Sequence, residues 1–171
     1  MDVKLFHELL NNNEQTTMFG YALIRDTLLP DLIGDNANIL YWSGKKLARE
    51  FLLATEEDLP LFFKQANWGE LKKVKSDKKQ QTFKLEGTIV KQRLKNNSKA
   101  DFLLEAGFIA ETIQNQRGFI SETIIKDTDK RKSIVTFLNQ LDPNDTIDPN
   151  LIPEQEPLQL TRIAREKMEN N

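Results

Sequence analysis

The sequence predicts an α+β fold: a four-stranded antiparallel sheet from two hairpins, with helices packed on it. Three observations support this class. Apolar residues recur at helical spacing in three stretches of the amino-terminal half. Two pairs of short apolar runs are each joined by a polar turn, as in hairpins. Hydrophobic residues make up 39% of the 171 positions, which is enough for one core. The predicted element order is ααα-ββ-α(short)-α-ββ.

Three helices are expected first, each between a start signal and a stop signal. Their predicted bounds are 16–33, 35–53 and 55–67. Pro30 is expected to kink or shorten the first, because its ring clashes with the carbonyl four residues earlier. Asp35 and Asn36 are the expected N-caps of the second helix, and Thr55 that of the third.

The rest of the predicted domain alternates hairpins and helices. The predicted strands cover residues 68–76, 81–86, 119–127 and 133–139. Gly87 and Thr88 begin a short helix, and Asp101 begins a longer one that ends at Gly118. The second helix carries Gly44 within its inner apolar stripe, where a glycine is expected to allow another helix to approach closely.

The chain is expected to divide into an N-terminal segment 1–15, one α+β domain 16–141 and a Pro-rich acidic tail 142–171. The four prolines of the tail indicate an extended linker. Residues 158–168 predict a short helix, which is marginal alone and needs an apolar groove for Leu160 and Ile163. That groove is expected on this domain, on a second subunit or on a partner, and the lysine-rich stretch 64–99 is the expected docking surface.

Charge and composition exclude several function classes. The net charge is −2 and the pI is about 5.6, so nucleic acid is not an expected partner despite the lysine-rich stretch. The chain has no Cys and only His7, which argues against thiol or His-triad catalysis and against Cys-ligated metals. No catalytic, metal-binding or cofactor-binding residue is predicted. Neither a membrane span nor a signal peptide is recognisable, so a cytoplasmic location is expected.

The first helix is apolar around nearly its whole circumference, which is typical of a helix buried on more than one side. A domain of this size covers such a helix only in part, which favours a subunit interface over a fully internal helix. Arg25 and its neighbour Asp26 are expected either to pair across that interface or to emerge at its rim. The predicted interface residues are Tyr21, Ile24, Arg25, Leu28, Leu32, Ile39 and Trp42.

A second hypothesis is a pocket between helices and sheet for an apolar small molecule. Its candidate lining residues are Phe83, Leu104, Phe108, Phe119 and Phe137. The alternative for the same residues is plain core, which their helical spacing favours. The leading functional expectation is a non-catalytic interaction module, either a homodimer or a partner-bound adaptor. The alternative is a small-molecule-binding or sensor domain.

Two stretches resemble the uncharacterised bacterial YslB-like family: TLLPDLIGDNANILYWSGKKLAREF and ADFLLEAGFIAETIQNQRGFISETIIKD. The resemblance covers nearly all of residues 16–140. It implies the nitric-oxide-signalling and Golgi-transport ligand-binding fold, whose relatives include four-vinyl-reductase domains, haem-based gas sensors and transport-particle subunits. It also implies pairing of subunits through helices and a pocket between helices and sheet.

The cofactors of those relatives are not expected here. The gas sensors hold haem through a His on a helix, whereas His7 precedes the first predicted helix. Some transport-particle subunits carry an acyl chain on a Cys, and four-vinyl-reductase-like domains often place Cys in the last hairpin. This chain has no Cys at any position.

Overall fold

The computed structural model describes residues 17–97, 100–148, 150 and 154–169, and the predicted segment 1–15 lies outside them. The fold is α+β, as predicted. Its helices are α1 (Met18–Ala22), a π-helical segment (Leu23–Leu28), α2 (Leu29–Ile33), α3 (Asn38–Glu50), α4 (Asp58–Gln65), α5 (Thr88–Asn96), α6 (Leu103–Arg117) and α7 (Leu160–Glu169). Its strands are β1 (Glu70–Ser76), β2 (Gln80–Glu86), β3 (Phe119–Asp129) and β4 (Ile134–Thr146). Residues 18–33 are called the first helix below.

The four strands form one antiparallel sheet in the order β1-β2-β4-β3. Each predicted hairpin forms, and the two hairpins join through β2 and β4. The register places Phe83 opposite Phe137 and Leu85 opposite Val135, and all four side chains are buried on the helix-covered face. Lys84 points to the other face and is exposed, as the two-residue period of a strand requires.

Helices α3 and α6 cross at two glycines, which lets their backbones touch. A methyl group at Gly44 would lie 2.1 Å from the carbonyl oxygen of Leu104. A methyl group at Gly107 would lie 1.9 Å from the carbonyl oxygen of Tyr41. The close approach predicted at Gly44 is therefore confirmed, and Gly107 is its counterpart on α6.

The core centres on four aromatic side chains beneath this crossing. Phe62 of α4 stacks on Phe108 of α6 with ring centroids 4.3 Å apart. Trp68 meets Phe62, Phe63 and Phe108 edge-on at 5.1–5.7 Å. Such offset and edge-to-face pairs are the favoured aromatic geometries. They join α4, α6 and the start of the sheet in one core.

Pro30 does not break the first helix, and the turns before it are instead π-helical. In a regular α-helix, the Pro30 ring would clash with the carbonyl of Asp26. The π segment Leu23–Leu28 ends just before the proline, and the N–H of Leu29 donates to the carbonyl of Ile24, five residues back. The wider turn accommodates the proline without a break.

The predicted bounds of α3 were wrong at both ends, and α4 begins at Asp58 after Glu57 rather than at the predicted cap Thr55. Helix α3 begins at Asn38 without a side-chain cap from Asp35 or Asn36, because the turn before it uses backbone hydrogen bonds. It ends at Glu50 rather than near Leu53, because the backbone of residues 52–54 bonds to Leu158 instead of continuing the helix.

Strand β4 continues to Thr146, beyond the predicted strand end at residue 139, because β3 pairs with it there. The tail helix α7 packs on α4 instead of on the lysine-rich strands. Leu160 of this helix is buried and needs apolar neighbours, which exposed lysines do not provide. Among the residues that the structure describes, no helix has the length and hydrophobicity to cross a membrane.

Candidate functional site

The most conspicuous surface feature is a set of large apolar side chains exposed on the first two helices. Phe19 is 77% exposed and Leu32 is 71% exposed. Eight of the ten exposed large hydrophobic residues in the described ranges lie between residues 18 and 42. We call these eight the apolar helix face: Met18, Phe19, Leu23, Ile24, Leu28, Leu32, Ile39 and Trp42.

Five of the seven predicted interface residues belong to the apolar helix face: Ile24, Leu28, Leu32, Ile39 and Trp42. The other two point inward. Arg25 is only 3% exposed, so its expected position at an interface or its rim is wrong. Tyr21 is half-buried, and its hydroxyl is buried without a hydrogen-bond partner among the described residues. The inward turn of Arg25 is caused by carboxylates beneath the helix.

A buried charge network fastens the first helix to α5 and α6. The Arg25 Nη2 donates to Glu105 Oε2 at 3.1 Å, and Arg93 Nη1 donates to Glu105 Oε1 at 3.1 Å. Arg93 also forms a two-pronged pair with Asp26, with N···O distances of 3.0–3.1 Å. Glu105 is completely buried, so its charge depends on these two guanidinium groups for compensation.

The backbone and one ring complete the network around Arg93. Its Nη2 donates to the carbonyl of Asp101 at 2.8 Å, and its guanidinium carbon lies 4.4 Å from the centroid of the Phe102 ring. Arg25 also reaches Asp101, at 3.4 Å. The turn before α6 is therefore held by both arginines. The two arginines thereby fix the first helix, α5 and α6 relative to one another.

Burial and nearby charges shift two pKa values in this network. Burial raises the pKa of Tyr21, and the carboxylate of Glu105 raises it further. Burial alone would lower the pKa of Arg25, but Glu105 and Asp101 outweigh it and raise that pKa. Both groups therefore keep their protons throughout the physiological range.

A cleft of about 530 Å³ lies between the first helix and α5. Met18, Phe19, Leu23 and Ile89 provide apolar walls. Ala22 also lines the cleft, and the polar lining comes from Asp26, Thr27, Gln92, Arg93, Asn96 and Asn97. The Asp26–Arg93 ion pair is thus shared between the cleft and the charge network. Part of the apolar helix face also forms the wall of this cleft.

The five predicted pocket residues do not line that cleft. Phe83, Leu104, Phe108 and Phe137 belong to the buried core, and Phe119 is half-buried against it. The backbone of Leu104 and Phe108 meets Gly44, which places that side of α6 under α3. Of the two alternatives, the structure supports core packing for these residues.

A second charge cluster lies beside Trp42 on α3. Lys45 is buried, with its Nζ 3.6 Å from Glu111 and 3.3 Å from Glu122. Arg49 pairs with Glu111 at 2.6 Å, and the Tyr41 hydroxyl bonds to Glu122. Lys45 also lies 5.7 Å from the Trp42 ring centroid, so a lysine covers one side of this exposed ring.

Sequence reasoning missed the residues that position the first helix: Arg93, Asp101 and Glu105. A signal for Glu105 was present, because it stands in an apolar helix between Leu104 and Ala106. A carboxylate in such a run has to find a cation or hydrogen-bond donors when it is buried. The identity of those cations was not readable, because Arg25 lies 80 positions away and Arg93 lies on a different helix.

Comparison with solved structures supports the fold. A crystal structure of a vinyl-4-reductase family protein from Methanocaldococcus jannaschii superposes with a TM-score of 0.61. The match covers 83% of this chain and 98% of that chain at 15% sequence identity. At this identity the likeness concerns the fold alone.

Sequence comparison identifies the family. The uncharacterized protein YslB of Bacillus subtilis (strain 168) is 39% identical over 145 residues, covering 83% of this chain and 97% of YslB. The resemblance read from the two quoted stretches is thereby confirmed. The family described as "Protein of unknown function (DUF2507)" matches residues 18–139, which include the first helix, the charge network and the sheet as far as Asn139. This chain is a member of the DUF2507 family.

Proposed function

We propose that this chain is a non-catalytic interaction module that forms a homodimer through the apolar helix face. The observation that carries the proposal is the exposure of eight large hydrophobic side chains on two consecutive helices. Contiguous exposed apolar surface on a soluble domain commonly marks an interaction site. The first helix is about 24 Å long at ~1.5 Å per residue, so its exposed side offers an extended contact.

The charge pattern favours a second copy as the partner. The only basic residue of the first helix, Arg25, is turned inward and paired, as is Asp26. The exposed side of the first helix therefore carries six large apolar residues and a single charge, Asp31, near its carboxyl-terminal end, so little charge is repelled across a two-fold axis. Isologous interfaces need such self-complementary surfaces.

The same pattern disfavours an anionic membrane as the partner. Amphipathic helices that bind such membranes carry Lys or Arg on their polar side. The exposed charges at the end of the first helix are the acids Asp31 and Asp35. The first helix thus presents acids rather than cations at its exposed end.

The homodimer is tested by light scattering or sedimentation across a concentration series. We expect the wild-type chain to give about twice 19.8 kDa. Leu28→Asp should give a monomer with an unchanged circular dichroism spectrum, because Leu28 is 49% exposed. The matched control is Ile124→Asp, which changes an exposed apolar residue on the sheet and should leave the dimer intact.

A single-chain mass for the wild-type protein at every concentration would contradict the homodimer. The same result would favour the partner-bound adaptor, in which another protein covers the apolar helix face. Loss of the dimer in Ile124→Asp as well would show that the sheet rather than the helices forms the contact.

The 530 Å³ cleft supports a second candidate function, the binding of a small molecule with an apolar body and a hydrogen-bonding group. We propose this cleft, rather than the predicted pocket between helices and sheet, as the ligand site. Native mass spectrometry of protein purified from cells is expected to show a mass excess if a ligand is bound. Ala22→Trp would fill the cleft and should remove that excess. An unliganded mass for the wild-type protein would contradict this candidate.

A further inference from the structure

The segment 154–169 lies in a groove on the domain. It contacts the groove as a bound peptide would, through main-chain hydrogen bonds and buried side chains. The groove is formed by residues 51–54 and the start of α4, and we call it the docking groove. The N–H of Leu158 donates to the carbonyl of Leu52 at 2.7 Å, and the N–H of Ala54 donates to the carbonyl of Leu158 at 3.0 Å. Leu158 thereby forms a parallel bridge with Leu53.

Alternate side chains of the segment enter the groove. Leu158 is 5% exposed and Leu160 is completely buried, whereas Gln159 between them is exposed. Both leucines belong to the same apolar cluster as Leu53 and Leu59 of the groove. Main-chain bonds combined with alternate side-chain pockets are the recognition mode of domains that bind peptides as added strands.

Asp58 of α4 provides the third element of the groove, a cap for the incoming helix. Its Oδ1 accepts hydrogen bonds from the N–H and the hydroxyl of Thr161, each at 2.8 Å. Its Oδ2 accepts from the N–H and the hydroxyl of Thr55, at 2.9 and 2.8 Å. One buried carboxylate thus satisfies donors at the start of α4 and of α7.

The segment is attached to the sheet by a long tether. Among the residues that the structure describes, the last backbone–backbone hydrogen bond before it joins the N–H of Ile147 to the carbonyl of Gly118 at 3.1 Å. Leu158 follows eleven positions later, and Pro149, Pro153 and Pro157 lie between. An extended tether of this length spans about 36 Å. Release of the segment therefore leaves all strand pairs of the four-stranded sheet in place.

We propose that the docking groove is a binding site for an extended Leu-x-Leu-Thr segment that continues into a helix. The chain's own segment occupies it in cis, and the same segment of a second copy is the ligand in trans. Exchange between copies preserves each contact, because the residues are identical. The tether gives the cis segment an effective concentration in the ~mM range, so trans binding requires the cis segment to be displaced.

The test uses a labelled peptide of residues 154–169 and the full-length chain. Leu160→Asp in the full-length chain removes the cis occupant from the groove, because a carboxylate does not enter the apolar seat. We expect the wild-type peptide to bind this variant at least about tenfold more tightly than it binds the wild-type chain. The matched control is the same peptide carrying Leu160→Asp, which should not bind.

Failure of the peptide to bind the folded Leu160→Asp chain would overturn the proposal, and so would equal binding of the control peptide. Circular dichroism establishes that the variant is folded. A second measurement uses the wild-type protein alone. In hydrogen-exchange measurements, the amide protons of Leu158 and Thr161 should exchange before those of Leu85 and Phe137. The reason is that the segment leaves the groove while the sheet stays folded. Simultaneous exchange of all four amides would overturn the proposal independently of the variant.

Discussion

Arg25 and Glu105, which lie 80 positions apart in the sequence, form an ion pair of 3.1 Å in which both side chains are buried. This pair fastens the first helix to α6 through charge as well as through apolar contact. Because Arg25 and Asp26 are both paired, Asp31 is the one exposed charged residue of the first helix. Six of the eight residues of the apolar helix face therefore lie on a helix that this buried ion pair holds to the domain.

Glu105→Gln tests how strongly the network holds the fold. The substitution keeps the shape of the side chain but removes the charge that compensates Arg25 and Arg93. We expect the free energy of unfolding to fall by about 3–5 kcal/mol, as when one partner of a buried ion pair is lost. Denaturant unfolding is the measurement, and Asp31→Asn, an exposed acid, should change it by less than about 0.5 kcal/mol. Equal effects of the two substitutions would contradict the role of the network.

Gly107→Ala tests the helix crossing. The added methyl group would lie 1.9 Å from the carbonyl oxygen of Tyr41, so α3 and α6 have to separate. We expect a loss of at least about 1–3 kcal/mol, the usual cost of overpacking. The control, Lys46→Ala, changes an exposed residue of α3 and should leave the melting temperature almost unchanged. A stable Gly107→Ala variant would show that the crossing can widen freely.

Removal of the hydroxyl group is expected to change the stability of the protein in opposite directions at the two tyrosines. The Tyr21 hydroxyl is buried without a partner among the described residues, so Tyr21→Phe should preserve or raise stability. The Tyr41 hydroxyl bonds to Glu122 and accepts from the N–H of Thr123 at 3.2 Å. Tyr41→Phe should therefore cost about 1 kcal/mol in thermal or denaturant unfolding. A larger loss in Tyr21→Phe than in Tyr41→Phe would contradict this assignment.

Alkaline titration should show both tyrosines resisting ionisation. Burial, with the neighbouring carboxylates Glu105 and Glu122, raises the pKa of Tyr21 and of Tyr41 above the ordinary value of about 10. Because the folded-state pKa is raised, the associated stability is fully present below pH ~10 and is lost as the pH rises beyond it. Tyrosinate absorbance should appear together with unfolding. Ionisation of one tyrosine in the folded protein near pH 10 would contradict the prediction.

Gln81→Met should stabilise the protein. Gln81 is 1% exposed, and neither its amide oxygen nor its amide nitrogen has a hydrogen-bond partner in the described structure. An unpaired buried polar group costs about 1–3 kcal/mol, and methionine fills a similar volume without that cost. Gln80→Met, at the exposed neighbouring position, should have little effect on denaturant unfolding. A destabilised Gln81→Met would show that a molecule in solution bonds to the amide.

Local patterns in the sequence were sufficient for most secondary structure. Gly118 ends α6 in a left-handed conformation with a φ of 75°, as its position after Arg117 predicted. The exposure of Leu28 and Leu32 also followed from pattern, because a helix apolar all round exceeds what this domain can cover. Boundaries failed where distant residues decided them. Helix α3 ends before Leu53 because Leu53 forms a parallel bridge with Leu158, more than 100 positions away.

The sequence by itself determined the α+β class, the four strands and the excess of apolar side chains on the first helix, because apolar periodicity is a local property. Only the tertiary structure decided which charges are compensated. Arg25 points inward because Glu105 and Asp101 lie beneath it, and Asp26 because Arg93 does. A buried charge is stable only next to its partner, and these partners become neighbours only through folding. For this reason Arg25 lies in the buried charge network rather than at the predicted interface.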